Sequence, residues 1–239
     1  MEELRQTRFN EVPGLNVAAP NEPHLACVLL LDTSGSMNGY PSMEEKPIDS
    51  LNKAIRTFIE QTSMDELARK RVDVAIIEFN DSARVVQEFT PLTMLEPVTL
   101  TAGGRTAMGE AINLAIDKVK ERNTFYSRMG TPCFQPWIFM ITDGEPTDDV
   151  SSARERIKAE EAKSSHGKLK FWAVGVPGYK KEVITSLTKR CIALSDSDFK
   201  GIFNWLSESV SIISVSQVDD TPDLPILPDN ARVIPSDWQ

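Results

Sequence analysis

Residues 29–37 read L-L-L-D-T-S-G-S-M, an apolar run that stops on a carboxylate and is followed at once by three hydroxyls and a glycine. Extended back to Leu25, the run L-A-C-V-L-L-L-D is too apolar for a strand with one wetted face, which marks a central strand of a parallel sheet covered on both sides. Asp32, Ser34 and Ser36 occupy alternate positions. In an extended loop their side chains turn to one side, where three oxygens converge on a small hard cation. Asp and Ser after a strand also serve as turn formers or helix N-caps. What separates the two readings lies further along, in Gly103-Gly104-Arg105-Thr106 and Thr142-Asp143-Gly144-Glu145, each placed where a strand hands over to a loop or helix.

Outward from that stretch, the hydrophobic periods alternate. Leu51, Ala54, Ile55, Phe58 and Ile59 predict a helix over Ile48 to Gln61 with Pro47 suited to its first turn, and a second short helix follows over Met64 to Lys70. Val72 to Phe79 and Ala83 to Phe89 read as two strands joined by Asn80-Asp81-Ser82, a hairpin whose second strand forms an antiparallel edge. Met108, Ala111, Ile112, Ala115, Ile116 and Val119 form one face of a helix over Thr106 to Arg122. Trp137 to Thr142 is a second buried strand ending on Asp143, and Leu169 to Val176 is another, with a charged helix over Asp148 to Ser165 between them. A short helix over Lys181 to Arg190, a brief strand over Cys191 to Leu194 and an amphipathic helix over Asp198 to Ile213 complete the series. The expected fold is α/β: a doubly wound, mostly parallel sheet of six strands with one antiparallel edge and helices on both faces. Ligands bind such sheets outside the carboxyl ends of the strands at the topological switch point, which is where Asp32, Thr106 and Asp143 would meet.

The flanks read differently. Residues 1–22 carry Pro13, Gly14, Pro20 and Asn21 without sustained periodicity, and form an extension anchored at most by Phe9, Leu15 and Val17. The domain is expected over 23–215. Residues 216–239 hold four prolines and five aspartates in 24 positions, so no element is expected there, although Leu224, Ile226, Leu227, Val233, Ile234 and Trp238 suggest that part of the tail docks.

A chain of 239 residues suits one domain with a core that needs no staples. A net charge of -9 argues against nucleic acid, whose phosphates demand a basic face. Cys27, Cys133 and Cys191 are far apart with no C-x-x-C pair and read as reduced core thiols. With no signal-peptide pattern and no apolar run approaching the ~20 residues of a spanning helix, a soluble, cytoplasmic protein without membrane contact is expected. His24 and His166 lie near predicted element ends and read as surface or boundary residues. Trp137, Trp172 and Trp205 read as core.

Oxygen ligands without His or Cys select a hard divalent ion, with magnesium first and manganese or calcium as substitutes. D-T-S-G-S followed by a distant threonine in a Gly-rich loop and a distant aspartate in a T-D-G turn resembles the von Willebrand factor A domain family and its metal-ion-dependent adhesion site. Asp32, Ser34, Ser36, Thr106 and Asp143 match its five positions in order, and the similarity covers roughly residues 25 to 214. Within the family, D-T-S-G-S-M and F-M-I-T-D-G-E-P-T-D over Phe139 to Asp148 look most like the bacterial TerY-type proteins of tellurite resistance and stress response. The resemblance implies that Ser34, Ser36 and Thr106 touch the metal directly, with Asp32 and Asp143 acting partly through water. It also implies an open coordination position that takes an Asp or Glu carboxylate from a partner protein.

The competing reading is a metal-dependent phosphohydrolase with Asp32 as nucleophile. Haloacid-dehalogenase-type phosphatases carry a second aspartate two residues on as general acid, and here that position is Ser34, a poor proton donor near neutral pH. Gly103 to Gly109 lacks the spacing of a phosphate-binding loop, and no nucleophile accompanies either histidine. Glu145 and Asp148 read either as lining the metal mouth or as a turn leading into a capped helix, and Arg105 as a partner's salt-bridge donor or as local charge balance.

Overall fold

A computed structural model describes residues 17–163 and 169–236. Strands β1 (Leu25–Asp32), β2 (Val72–Phe79), β3 (Ala83–Pro91), β4 (Trp137–Thr142), β5 (Lys170–Gly175), β6 (Cys191–Leu194) and β7 (Ala231–Ile234) form one sheet in the order β3-β2-β1-β4-β5-β6-β7. β1 pairs in parallel with both β2 and β4, and β4-β5 and β5-β6 are parallel, while β3 and β7 run antiparallel at the two edges. The helices are α1 (Pro47–Met64), α2 (Ala68–Arg71), α3 (Met108–Met129), α4 (Ser151–Glu161), α5 (Lys181–Leu187) and α6 (Lys200–Val215).

The apolar run of β1 explains the layering. Its side chains alternate across the sheet, so Leu25, Cys27, Leu29 and Leu31 enter one core layer with α1 and α6, while Ala26, Val28 and Leu30 enter the other with α3 and α4. Every residue of β1 is buried, as a strand covered on both faces demands. Because β1 sends one connection toward β2 and the later chain crosses to β4 on its other side, the strand order reverses beside the ends of β1 and β4. That is the switch point at which the motif loops were expected to meet.

Seven strands, rather than six, form the sheet, and the extra one comes from the tail, where no element was expected. β7 pairs Ala231 with Leu194 and Ile234 with Cys191, covering the edge that a four-residue β6 leaves exposed. Upstream of it, Leu224 and Leu227 pack on the core and the indole N–H of Trp205 donates to the carbonyl of Pro225 at 2.9 Å. The expected docking of the tail is therefore present, on α6 and β6. Phe9, Leu15, Asp237, Trp238 and the end of the helix expected up to Ser165 lie outside the described residues, whereas Val17 packs against the core as expected.

α3 is longer than expected, running on to Met129 and ending at Gly130 in the left-handed conformation (φ 71°). Its last turns carry Arg122 and Tyr126, polar residues that are nonetheless buried. His24, read as a surface or boundary residue, does sit at an element boundary just before β1, but it is buried. All three converge on Asp73 of β2, whose Oδ2 lies 2.9 Å from His24 Nδ1 and 2.9 Å from Arg122 Nη2 and accepts the Tyr126 hydroxyl. Burial alone would push the Asp73 carboxyl up, but the His24 hydrogen bond and the Arg122 charge outweigh it and hold the carboxyl below its ordinary value. On the opposite face, Trp137, Trp172 and Trp205 form an aromatic group with ring centroids 5.1 to 6.4 Å apart.

Candidate metal centre

Asp32 is the last residue of β1, and its carboxylate is fixed from two directions. Its Oδ1 accepts the backbone N–H of Ser34 at 2.8 Å, a local turn that Asp favours after a strand, and its Oδ2 accepts the hydroxyl of Thr142 at the end of neighbouring β4 at 2.5 Å. The chain then enters a 3-10 turn, Gly35–Asn38, held down by the buried side chain of Met37. Thr33 points the other way and donates its hydroxyl to the Phe79 carbonyl at 3.2 Å, so Asp32, Ser34 and Ser36 are left on one side. The Ser34 and Ser36 hydroxyls are 3.0 Å apart, and Ser36 donates to Asp143 Oδ1 at 2.7 Å. Four of the five sequence-identified residues thus form one hydrogen-bonded chain.

Thr106 closes the set. Gly144 shows how near it stands: a Cβ added there would lie 3.0 Å from Thr106 Oγ1 and 3.2 Å from Asp32 Oδ2. A side chain at 144 would therefore fill the space between two of the donors, and glycine leaves it clear. The Thr106 loop is tied on both flanks. Gly103 N–H donates to the Thr33 carbonyl (2.8 Å), Gly35 N–H donates to the Gly104 carbonyl (3.0 Å), and Ala107 N–H donates to the Asn80 carbonyl (2.8 Å). On the other side Thr106 N–H donates to Thr147 Oγ1 at 3.2 Å, and Thr147 N–H returns a bond to the Thr106 carbonyl at 2.9 Å.

Several supporting residues were not singled out in the sequence. Thr142, Thr147, Asn80 and Asp81 act through contacts 24 to 110 residues away, which no local pattern reveals. Asp148, read as a metal-mouth residue or a turn into its own helix, instead accepts from Gly109 N–H (3.0 Å) and Glu110 N–H (2.8 Å), capping α3. Arg105 pairs with Asp81 at 3.2 Å, the local charge balance of the two readings given above.

Burial makes the charged forms of the two carboxylates costly. Burial raises the Asp32 carboxyl above its ordinary value despite the Ser34 and Thr142 hydrogen bonds. Burial and the nearby Asp32 charge push Asp143 up to about 6 against the Ser36 hydrogen bond. Arg105, beside Thr106 in the chain, pairs with Asp81, and Lys180 pairs with Glu145 at 3.5 Å. Among the described residues no cluster of three or more His, Cys, Asp or Glu could hold a metal, so the donor set here is two carboxylates and three hydroxyls. An all-oxygen set of low charge fits a hard divalent ion that retains water, and it fits neither zinc nor copper. Ser36 is exposed while Asp32, Ser34 and Thr106 are buried, so the donors open to solvent on one side.

The chain matches the von Willebrand factor type A domain over residues 27–204. It belongs to that family. Solved structures share the fold: the pilus adhesin SpaC from Lactobacillus rhamnosus GG in its open conformation (12% identity, TM-score 0.61, covering 81% of this chain and 30% of that one); the PilB minor pilin from Streptococcus sanguinis (16%, 0.56, 80% and 62%); and proximal thread matrix protein 1 from the mussel byssus (16%, 0.55, 81% and 46%). The chain thus spans between 30% and 62% of the length of these structures. No curated protein matches it in sequence. Among the described residues no helix is long and apolar enough to cross a membrane.

Proposed function

We propose that this domain is a protein-binding module that holds magnesium through Ser34, Ser36 and Thr106, with Asp32 and Asp143 behind them, and binds a partner's Asp or Glu carboxylate there. The observation that carries the reading is the meeting of five oxygen-bearing residues from three distant segments at the carboxyl ends of β1 and β4, around a space kept clear by Gly144. The ion, when bound, supplies a Lewis-acidic position, and neutral hydroxyl ligands leave its charge less quenched than a carboxylate cage would. Asp32 holds the Ser34 turn, Thr142 orients Asp32, and Thr147 holds Thr106. Calcium or manganese would be accommodated by the same donors.

Non-catalytic binding is favoured over phosphoester hydrolysis because both Asp32 oxygens are already occupied as acceptors and Ser34, in the position of the general acid, has its hydroxyl beside Ser36. What supports placing the interaction in the cytoplasm, in a bacterial stress or tellurite-resistance system, is the TerY-like string over Phe139 to Asp148. Affinity capture from a bacterial lysate with magnesium, repeated with EDTA, tests the binding reading, with a generic phosphoester assay in parallel. Magnesium-dependent partners without turnover are expected; turnover abolished by Asp32→Asn would overturn it.

A further inference from the structure

Asp143 is held through its carboxylate, which accepts from Ser36, and also through the backbone around it. The second hold comes from residues 176–180, V-P-G-Y-K, the connection between β5 and α5. Val176 N–H donates to the carbonyl of Thr142, the residue before Asp143, at 3.0 Å, and Tyr179 N–H donates to the Val176 carbonyl at 3.0 Å to close a turn. Pro177 and Gly178 fill its two central positions in the pattern of a type II turn: proline fixes φ at the first and glycine takes the positive φ of the second, here 108°. The turn is pinned at both ends. The Tyr179 ring lies against Gly175, where an added Cβ would fall 2.5 Å from it, and the Lys180 carbonyl accepts from Val183 and Ile184 N–H at 3.1 and 3.2 Å at the start of α5.

The middle of the turn sits on Asp143. A Cβ added at Gly178 would lie 3.3 Å from the Asp143 carbonyl oxygen, so the two backbones approach more closely than a side chain at 178 would allow without a shift. Further along, Lys180 Nζ stands 3.5 Å from Glu145 Oε2, at side-chain exposures of 51% and 67%. An ion pair that open contributes little, so the close backbone approach at Gly178 carries the constraint. Contacts from one short connection thus reach Thr142, Asp143 and Glu145, the stretch whose geometry decides where the Asp143 carboxylate stands.

We infer that the 176–180 connection is a fourth loop of the candidate metal centre and positions Asp143, so that affinity for the ion is tuned from outside the motif. The inference rests on the metal-dependent reading and adds a point of control to it. Gly178 acts through Asp143, as the residues behind a metal ligand do.

The test compares two exposed glycines with positive φ in the full chain. Gly178→Ala strains the backbone and brings a methyl group against Asp143, whereas Gly130→Ala imposes the same kind of strain (φ 71°) with nothing within 4 Å of the added Cβ. Gly130 follows the 22 residues of α3, about 33 Å of helix away from the Met108 end beside the Thr106 loop. Gly178→Ala should weaken magnesium about tenfold by titration calorimetry. In the metal-free chain it should also speed amide exchange at Gly144, whose N–H donates to Thr142 Oγ1 at 3.2 Å. Gly130→Ala should lower Tm and leave both readings unchanged. Gly144 exchange or magnesium affinity unaltered in Gly178→Ala, or equal effects of the two substitutions, would overturn the inference. If wild type takes no magnesium while Gly144 exchange still responds to Gly178→Ala alone, the positioning of Asp143 stands and the metal reading falls.

Discussion

Replacing Asp73 with Asn probes the core beneath the loops that carry Asp32, Thr106 and Asp143. The substitution keeps the shape of a fully buried side chain but removes the charge that faces His24, Arg122 and Tyr126, and the Arg122 side chain is only 1% exposed. Breaking a buried ion pair from one side costs about 3–5 kcal/mol. Arg122 keeps its ring contacts to Phe89, Phe125 and Tyr126 at 5.6, 5.1 and 4.8 Å. Cation–π attraction of ~1–2 kcal/mol argues for the lower end of that range, about 3 kcal/mol. For a domain of this size each kcal/mol shifts Tm by roughly 2–4 °C, so a fall of about 6–12 °C is expected by calorimetry. The pH dependence has a definite sign. Because the folded Asp73 carboxyl sits below its unfolded value near 3.8, its contribution is present above that pH and lost as pH falls through the folded value. Wild type should therefore lose stability below about pH 4 more steeply than the Asn variant. The double variant Asp73→Asn/Arg122→Met should recover part of the loss. A single variant melting within 2 °C of wild type would refute the reasoning.

Asp32→Ala should abolish magnesium binding, seen by titration calorimetry and by loss of the magnesium-induced rise in Tm, with the circular dichroism spectrum unchanged. Thr142→Val, which preserves shape and removes only the 2.5 Å bond to Asp32, should weaken magnesium roughly 10- to 100-fold without emptying the site. Truncation after Ser216 should lower Tm and alter the Trp205 fluorescence, because the Pro225 contact and the β7 ladder are removed, while magnesium affinity stays unchanged. An unaltered Tm would contradict the docked tail, and tighter ligand binding would point to a tail that caps the metal.

The candidate site was legible as a pattern because its residues sit in short strings. D-T-S-G-S, G-G-R-T and T-D-G each announce a strand end or a tight loop, and β1 declares its two-sided burial through eight residues with one polar member. What the local pattern hid depends on partners far along the chain. β7 is four residues, A-R-V-I, among prolines, and becomes a strand only because β6 offers an unpaired edge. His24 read as a surface or boundary residue, Asp73, Arg122 and Tyr126 were not singled out, and the burial of the four makes sense only as a set spanning 49 and 53 residues of separation. Asp148 looked like the start of its own helix, and its acceptor oxygens instead serve α3, 38 and 39 positions earlier.

The most direct measurement of the central claim is a crystal grown with manganese as a magnesium substitute and recorded at a wavelength where manganese scatters anomalously. The account requires one strong anomalous peak bounded by Asp32 and Asp143, with the Ser34, Ser36 and Thr106 hydroxyls at bonding distance, about 2.1 Å for a magnesium-sized ion. An ordered site with no peak, or a peak held by other residues, would contradict it.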